Sequence, residues 1–333
     1  MKLIIPMAGK GTRLRPHSHT TPKPLLPVAG TSIVERIVQT FSRTINRTVD
    51  EIVFVLGDFG SQVEQDLTAM CERQGATASF YKQDVARGTA HAVNCAAEKL
   101  VGEVIIVFAD TLFDTKVKVN VDNADSVIWL KEVEDPSRFG VAVQTEGRIT
   151  GFVEKPKDFI SNLAIIGVYY FKDGENLRKE IQKLIDENIT GHGNEYQLTD
   201  AIDSMLKDGK VFKSATVDEW LDCGTIPAWL DTSAAIVEKE MKPIDASRFP
   251  NSTILPPVYI GQNVEINNST IGPNASIAVG AKISGSAIRN SIVLDRAIVV
   301  DSELENATIG FDTQVTNLRG SAHIGDHSVI DAN

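Results

Sequence analysis

The stretch LIIPMAGKGTRLRPHSHTTPKPLLP, residues 3–27, decides how the first part of the chain folds. Its apolar start predicts a buried strand. Gly9 and Gly11 then allow the backbone to turn tightly and to present its N–H groups to a ligand. No acidic residue precedes Glu35, although the whole chain carries a formal net charge of −11. We therefore expect an anion-binding loop at the end of a central strand, of the kind that holds phosphates.

This loop matches neither of two common phosphate-binding motifs. A Walker A loop requires Gly-x-x-x-x-Gly-Lys-Ser/Thr, and that run is absent from the chain. A dinucleotide-binding fingerprint requires glycine or alanine where this chain has Leu14. Prolines also prevent a helix from following at once; they are Pro16, Pro22, Pro24 and Pro27. The sequence therefore predicts a long, irregular loop that closes over its ligand, and it excludes a Rossmann dehydrogenase.

Length and composition predict a soluble, two-domain protein. The chain has 333 residues, of which 42% are apolar and 23% charged. It contains no apolar run of membrane-spanning length and no secretory leader, so we expect a cytoplasmic location and no membrane partner. The pI near 5.1 argues against a nucleic-acid partner. Three widely spaced cysteines suggest neither a disulfide framework nor a zinc ribbon.

Apolar runs alternate with helical periodicity through residues 30–108, which predicts an α/β fold with a Rossmann-like, mixed and mostly parallel sheet. Ligands of such sheets lie at the carboxyl ends of the strands, where the glycine loop and Asp110 both fall. From residue 126 short strands follow, with a hairpin turn at Glu146-Gly147. We expect this region to form an extra layer over the ligand-binding end.

The C-terminal part has a different period. Between Ile254 and Ile330 aliphatic residues recur every five or six positions, which predicts a left-handed parallel β-helix of about four coils. We therefore predict a first domain at 1–241, a linker at 242–253 and the β-helix at 254–333. The helix is expected to pack on the first domain and to help copies of the chain associate as a homo-oligomer. An acyltransferase role using His323 or His327 is disfavoured, because there are so few coils.

The loop sequence also carries a family resemblance. Residues 9–16, GKGTRLRP, followed by residues 22–27, PKPLLP, resemble the opening of the sugar-1-phosphate nucleotidylyltransferases, or NDP-sugar pyrophosphorylases. The resemblance implies that a sugar-1-phosphate oxygen attacks the α-phosphorus of a nucleoside triphosphate and expels pyrophosphate. It also implies that the first domain has the nucleotide-diphospho-sugar transferase type of fold.

The resemblance assigns the nucleotide to two segments. Arg13 matches the family residue that holds the departing pyrophosphate. Lys23, which lies between two prolines, matches the residue that neutralises the α-phosphate. Gln83 and Gly88 lie in the base-recognition segment, where an amide and a backbone group can read the imide edge of a pyrimidine. Uracil or thymine is therefore favoured over a purine. The predicted nucleotide-binding residues are Ala8, Gly9, Lys10, Gly11, Thr12, Gln83, Gly88 and Thr89.

Two aspartates are the candidate magnesium ligands. Asp110 follows an apolar strand, where a buried carboxylate would be costly without a cation or donors. Asp222 lies in a Trp-Leu-Asp-Cys-Gly-Thr run that resembles the second metal-ligand segment of the family. Carboxylate oxygens are the ligands that Mg²⁺ prefers.

His17 and His19 are expected to be loop residues, since no cysteine or carboxylate stands near them at ligand spacing. We expect His91 to be a packed helix residue.

The sugar phosphate is assigned to later strands. Glu154 would accept bonds from sugar hydroxyls, and Lys155 would bind the phosphate. A surface ion pair between them is disfavoured, because neighbouring residues on a strand point to opposite faces. The predicted sugar-phosphate-binding residues are Gly140, Glu154, Lys155, Ile166 and Asn194.

These segments point to more than one substrate pair. Residues 161–169 look most like the glucose-1-phosphate thymidylyltransferases, whereas the base segment is closer to the UTP-using GlcNAc-1-phosphate enzymes. We predict a Mg²⁺-dependent enzyme that joins glucose-1-phosphate to dTTP or UTP. The alternatives are a GlcNAc-1-phosphate uridylyltransferase, a mannose-1-phosphate guanylyltransferase and, from another class, a non-catalytic nucleotide-sugar-binding regulatory subunit.

Overall fold

A computed structural model describes residues 1–116, 118–122, 124–145, 148–240 and 243–332. The hairpin turn predicted at Glu146-Gly147 lies outside these residues. Contacts group the chain into two compact units. Unit 1 comprises Met1–Gly9 and Glu35–Trp220, and unit 2 comprises Lys10–Val34 and Leu221–Asn333. The domain boundaries predicted at 242–253 follow the chain order and stay a prediction.

The helices are α1 (Ile33–Thr44), α2 (Ser61–Arg73), α3 (Thr89–Asn94), α4 (Gly174–Asp186), α5 (Leu198–Lys207) and α6 (Ile226–Lys239). The first strands are β1 (Lys2–Pro6), β2 (Pro27–Val28), β3 (Thr31–Ser32), β4 (Glu51–Leu56), β5 (Thr77–Lys82), β6 (Val104–Val107) and β7 (Thr111–Asp114). They are followed by β8 (Ser126–Glu132), β9 (Gly140–Thr145), β10 (Arg148–Glu154), β11 (Leu163–Phe171), β12 (Phe212–Thr216) and β13 (Glu219–Asp222). Within the described ranges, no helix is both long and apolar enough to cross a bilayer.

A nine-stranded mixed sheet forms the centre of unit 1, in the order β10-β9-β11-β6-β1-β4-β5, with β8 joining β11 to β12. Strand β1 lies between two parallel neighbours, and its Ile4 is opposite Val53 on one side and Ile106 on the other. All three side chains are fully buried. Helices α3, α4 and α5 supply apolar residues to the same core. The predicted α/β fold with a mixed, mostly parallel sheet is confirmed.

The short strands after residue 126 do not form the extra layer that we predicted. They continue the central sheet, because the long strand β11 pairs antiparallel with β6, β8 and β9. A bulge between Ile165 and Tyr169 interrupts the β11–β8 register. The prediction was wrong because strand pairing across the sheet is set by contacts distant in sequence.

The C-terminal strands stack into three five-stranded parallel sheets, which is the architecture of the predicted left-handed β-helix. They are β14 (Thr253–Ile254), β15 (Val258–Ile260), β16 (Glu265–Asn267), β17 (Thr270–Ile271), β18 (Ala275–Ile277), β19 (Lys282–Ser284), β20 (Ala287–Arg289) and β21 (Ser291–Val293). The remainder are β22 (Ile298–Val300), β23 (Glu303–Glu305), β24 (Thr308–Ile309), β25 (Gln314–Thr316), β26 (Arg319–Gly320), β27 (His323–Ile324) and β28 (Val329–Asp331).

Five strands per sheet mean five coils, so the prediction of about four was too low. A coil is shorter than three six-residue repeats, as the pairing between consecutive coils shows. Thr253 of one coil pairs with Thr270 of the next, and Glu303 pairs with Arg319. The chain turns at corners where asparagine or aspartate adopts the left-handed conformation that these residues tolerate, with φ between 44° and 59°. These corners include Asn263, Asn274, Asn290, Asp301, Asn306 and Asp312.

Buried serines tie consecutive coils together. Ser286 Oγ accepts a hydrogen bond of 3.0 Å from Ser302 N, and Ser302 Oγ accepts one of 3.1 Å from Leu318 N. Ser302 Oγ also donates to Val300 O at 2.7 Å. These bonds satisfy hydroxyl groups that would otherwise be buried without a partner, and they fix the spacing between coils.

Candidate active site

The basic loop of unit 2 folds back on itself so that its glycine lies against its central lysine. Gly11 has φ 58°, and a Cβ atom built on it would lie 3.1 Å from Lys23 Cβ. Ser18 Oγ donates a hydrogen bond of 2.7 Å to Gly11 O. Lys23 is only 9% exposed, in a short 3-10 helix that begins after Pro22. Glycine at position 11 is therefore required both by its backbone conformation and by the close approach of Lys23.

Arg13 and Asp222 both lie close to a second glycine of unit 2, Gly224. Asp222 ends β13, and its Oδ1 accepts a bond of 2.7 Å from Gly224 N. Its backbone oxygen accepts a bond of 2.7 Å from Thr232 in α6. A Cβ built on Gly224 would lie 2.8 Å from Asp222 Oδ1 and 3.2 Å from Arg13 Nη2. Sequence reasoning did not single out Gly224, although it stands within the run that was quoted for Asp222.

Asp110 lies in unit 1, after β6, and it is exposed. It accepts a hydrogen bond of 3.2 Å from Thr111 Oγ1. The premise that this carboxylate is buried was therefore wrong, because β6 ends at Val107 and the chain has reached the surface three residues later. Nearby, burial raises the pKa of the Tyr169 phenol, with further contributions from the Glu154 and Asp110 carboxylates. The Glu154 and Asp110 carboxylates thus both raise the pKa of the same buried phenol.

The predicted base segment of unit 1 is hydrogen-bonded to residues around Tyr196. Gly88 has φ 112° and precedes α3. Tyr196 N donates to Arg87 O and Tyr196 O accepts from Ala90 N, both at 2.9 Å. A Cβ on Gly88 would lie 2.4 Å from Tyr196 O, so the site has no room for a larger residue. The base segment is therefore joined by backbone hydrogen bonds to the stretch just after Asn194, one of the predicted sugar-phosphate-binding residues.

Two side chains of the base segment are oriented by specific partners. Gln83 Nε2 lies 3.1 Å from His91 Nδ1, so the predicted base-reading amide is positioned by His91. Burial, with a smaller effect of Arg87, lowers the pKa of His91 and favours the neutral ring. Thr89 Oγ1 donates to Gln197 Oε1 at 3.2 Å and accepts from Leu198 N at 2.8 Å. Thr89 therefore joins α3 to α5 as well as beginning a helix.

Glu154 is the centre of the predicted sugar site in unit 1. Its Oε2 accepts a hydrogen bond of 2.6 Å from Thr199 Oγ1, and it would lie 2.8 Å from a Cβ built on Gly140. Gly140 therefore leaves the space that the carboxylate occupies. Asp200 is close by: burial, then Glu154 and Asp203, raise its pKa. Its buried Oδ2 has no hydrogen-bond partner among the described residues. Thr199 and Asp200 were not assigned roles from the sequence.

Three other predicted sugar residues are placed differently. Lys155 Nζ lies 3.8 Å from Glu154 Oε1, so the ion pair that we disfavoured does form. The strand argument failed because β10 ends at Glu154 and Lys155 has φ 43°. Ile166 is 3% exposed and belongs to β11. Asn194 is exposed, with φ 59°, and accepts a bond of 2.9 Å from Thr190 Oγ1.

Residues 2–239, which include every predicted site residue, match a family model described as nucleotidyl transferase. The chain belongs to this nucleotidyl transferase family.

Relatives of this nucleotidyl transferase match nearly its whole length. It is 28% identical to a glucose-1-phosphate thymidylyltransferase of Streptomyces antibioticus, over 99% of both chains. It is 30% identical to the bifunctional protein GlmU of Methanococcus aeolicus, over 96% of this chain and 81% of that one. It is also 30% identical to the low-salt glycan biosynthesis nucleotidyltransferase Agl11 of Haloferax volcanii, over 93% and 94%.

A solved structure supports the fold of this nucleotidyl transferase. A UDP-glucose pyrophosphorylase complexed with UDP-glucose superposes with a TM-score of 0.60 at 24% identity, over 72% of this chain and 98% of that one. At this identity the likeness concerns the fold alone. The sequence-based recognition of the family is confirmed, as is the prediction of an enzyme of the sugar-1-phosphate nucleotidyltransferase type.

Within the described residues, no group of three or more His, Cys, Asp and Glu side chains could hold a metal ion. Asp110 belongs to unit 1 and Asp222 to unit 2. Their assignment to one magnesium ion stays a prediction, as do the individual roles of the other predicted site residues.

Proposed function

We propose that this nucleotidyl transferase joins glucose-1-phosphate to the thymidylyl group of dTTP or the uridylyl group of UTP and releases pyrophosphate. The thymidylyltransferase relative, which matches 99% of the chain, supports this pair. The observation that carries the sugar part is the Glu154 carboxylate, which Thr199 holds beside Gly140. A fixed carboxylate acceptor suits sugar hydroxyl groups, because a charge-assisted hydrogen bond is stronger than a neutral one.

In the proposed reaction an oxygen of the sugar phosphate attacks the α-phosphorus. A new P–O bond forms, and the bond from the α-phosphorus to the bridging oxygen breaks. Lys23 neutralises charge on the α-phosphate, and Arg13 donates two parallel hydrogen bonds to the departing pyrophosphate. Because both substrates are anionic, positioning and charge neutralisation supply most of the catalysis. Gly9 to Thr12 bind the remaining phosphate oxygens.

Asp110 and Asp222 are proposed to hold Mg²⁺. Both are exposed carboxylates, and each accepts a hydrogen bond from a residue one or two positions later. This donor set fits Mg²⁺, which takes one or two protein carboxylates and completes its shell with phosphate and water oxygens. When bound, the ion supplies charge neutralisation at the phosphates.

A pyrophosphate-release matrix tests the substrate pair: five nucleoside triphosphates against a panel of sugar-1-phosphates, with Mg²⁺. We expect the highest kcat/KM with glucose-1-phosphate and dTTP or UTP. A second candidate, the GlcNAc-1-phosphate uridylyltransferase activity, is favoured by the 30% identity to GlmU. Preference for GlcNAc-1-phosphate and UTP would establish it in place of the first. No release from any pair would point to a regulatory subunit and overturn the proposal.

Glu154→Gln tests the sugar site, and Glu180→Gln is its matched control. Glu180 is a buried glutamate of unit 1 that, like the partly buried Glu154, accepts a hydroxyl hydrogen bond, at 2.7 Å from Ser204 Oγ. We expect Glu154→Gln to lower kcat/KM for the sugar phosphate about tenfold or more, since a charge-assisted bond becomes a neutral one. Glu180→Gln should stay within about twofold of the wild type. Equal effects of the two variants would remove Glu154 from the sugar site.

Homo-oligomer formation and a cytoplasmic location stay predictions from the sequence.

A further inference from the structure

Within unit 2, the basic loop is hydrogen-bonded to the last coils of the β-helix. His17 is fully buried, and its Nε2 lies 2.7 Å from Thr308 Oγ1. Thr308 is also fully buried, and its Oγ1 lies 3.0 Å from His323 Nδ1. The three side chains therefore form a continuous chain of hydrogen bonds from the loop into β24 and β27. None of them belongs to the site proposed for the reaction.

Other contacts hold the same loop segment. Thr20 Oγ1 donates a hydrogen bond to the Asp326 carboxylate. Trp229 of α6 packs edge-on against the His17 ring, with centroids 5.4 Å apart. Its Nε1 donates to Pro27 O at 2.9 Å. Residues 17–27 are thus attached at three points to the C-terminal part of unit 2, and two of these points are on the last coils.

The attachment reaches the proposed phosphate-binding residues in one further step. Ser18 follows His17 directly, and its hydroxyl donates to Gly11 O at 2.7 Å. Gly11 in turn lies against Lys23, as the 3.1 Å approach of its built Cβ shows. A displacement of His17 would therefore move the backbone that sets Gly11 and Lys23.

We infer that the last coils of the β-helix position the basic loop, with His17 and Thr308 as positioning residues for Gly11 and Lys23. This inference rests on the proposed function for its catalytic consequence, although the attachment itself does not. The β-helix then has a role in the reaction beyond packing and assembly, which is all that its sequence suggested.

Thr308→Val tests the inference, because it removes the hydroxyl and nearly keeps the volume. Ser302→Ala is the matched control: this buried hydroxyl bonds only within the β-helix in the contacts described above. Thr308→Ser should restore the wild-type behaviour by returning the hydroxyl. Thr20→Val, at an exposed position, breaks the second attachment in a variant that should fold readily.

Limited trypsin digestion is the first readout, since it needs no substrate. Lys10 and Arg13 are exposed, whereas Arg15 and Lys23 precede proline and resist trypsin. We expect cleavage after Lys10 and Arg13 to be about tenfold faster in Thr308→Val than in Ser302→Ala, because a loop with an unsatisfied buried imidazole opens more often. A smaller increase is expected for Thr20→Val. Equal cleavage of Thr308→Val and the control would overturn the inference.

Steady-state kinetics with the best substrate pair of the matrix is the second readout. A misplaced Lys23 should lower kcat about tenfold, while KM for the nucleotide changes less than about threefold. Faster cleavage with no activity in the wild type would leave the attachment standing and reject the proposed function. If Thr308→Val were cleaved faster by trypsin but kept the wild-type kcat, only the positioning role would be rejected.

Discussion

Replacement of His17 should remove a measurable part of the pH dependence of stability. Burial, the largest effect, lowers the pKa of His17 from 6.5 to about 4; Asp326 opposes this shift and His323 adds to it. The His17 ring is therefore neutral in the folded protein near neutral pH. One nitrogen, Nδ1, has no hydrogen-bond partner among the described residues. An unpaired acceptor costs less than an unpaired N–H, so the favoured tautomer donates from Nε2 to Thr308.

The size of the effect follows from the two pKa values. Between pH 6.5 and about pH 4 the unfolded chain binds more protons at His17 than the folded chain does, so the folded state loses stability as the pH falls. This contribution is fully present above pH 6.5. From near pH 7 to near pH 5 the loss is about 2 kcal/mol, and it reaches about 3 kcal/mol near pH 4.

The assay is urea unfolding of the wild type and of His17→Gln at several values between about pH 7 and pH 5. Glutamine can still donate its amide to Thr308 but does not titrate. We expect the wild type to lose about 2 kcal/mol more than the variant over this range. Ser302→Ala retains His17, so its difference from the wild type should be constant. The difference in unfolding free energy between the wild type and His17→Gln should therefore change with pH. If it changed by less than about 0.5 kcal/mol over this range, the assignment of a buried, neutral His17 would be refuted.

Three further substitutions test the site residues. Lys23→Ala should lower kcat about a hundredfold and raise nucleotide KM much less, because its charge matters most in the transition state; a change in KM alone would contradict this. Gly224→Ala places a methyl group 2.8 Å from Asp222 Oδ1 and 3.2 Å from Arg13 Nη2. Pyrophosphate release should therefore fall while the melting temperature changes little. Unaltered release would exclude a role in the reaction for the contacts of Asp222 and Arg13 near Gly224. Gly88→Ala brings a methyl group within 2.4 Å of Tyr196 O at φ 112°. It should destabilise the folded state by about 2 kcal/mol or more in urea unfolding, and a neutral result would mean that the segment can shift.

The central sheet could be predicted from the sequence because buried parallel strands are continuous apolar runs. Leu3–Ile5 and residues 104–108 needed no knowledge of their partners to be recognised as strands. The β-helix was recognisable for a similar reason, since one inward aliphatic residue per strand gives a regular period. Its number of coils was not, because the corners shorten each coil and the corner asparagines were not used to count it.

Local geometry limited the prediction of the site. Gly11, Gly88 and Gly140 were singled out from the sequence, and each has a steric reason to be glycine in the structure, although their substrate-binding roles stay predictions. The ion pair between Glu154 and Lys155 was wrongly disfavoured, because the backbone conformation at Lys155, φ 43°, reverses the side-chain direction expected of a strand. Thr199, which holds Glu154, is 45 positions away in the chain, so only the paired fold brings the two together.

His17 shows the largest difference between sequence and structure. It was expected to be a loop residue, because no cysteine or carboxylate stands near it at ligand spacing in the sequence. Its actual partner, Thr308, lies 291 positions later. Thr308 is a β-branched residue at the start of a short strand, and nothing in the sequence indicates that its hydroxyl binds a residue of the loop. A buried histidine in a loop rich in proline and basic residues could only be recognised from the folded chain.

Removal of the last coils should therefore affect the loop as well as the β-helix. A chain ending at Glu305 keeps β14 to β23 but loses Thr308, His323 and Asp326, which hold His17 and Thr20. An imidazole left without its partner near a newly exposed surface favours opening of the loop. We expect trypsin cleavage after Arg13 to accelerate in this shortened chain and pyrophosphate release to fall, while amide exchange in β1, β4 and β6 stays slow. If the shortened chain released pyrophosphate at the wild-type rate, the coils would contribute nothing to the loop, and assembly would remain the only role supported for them.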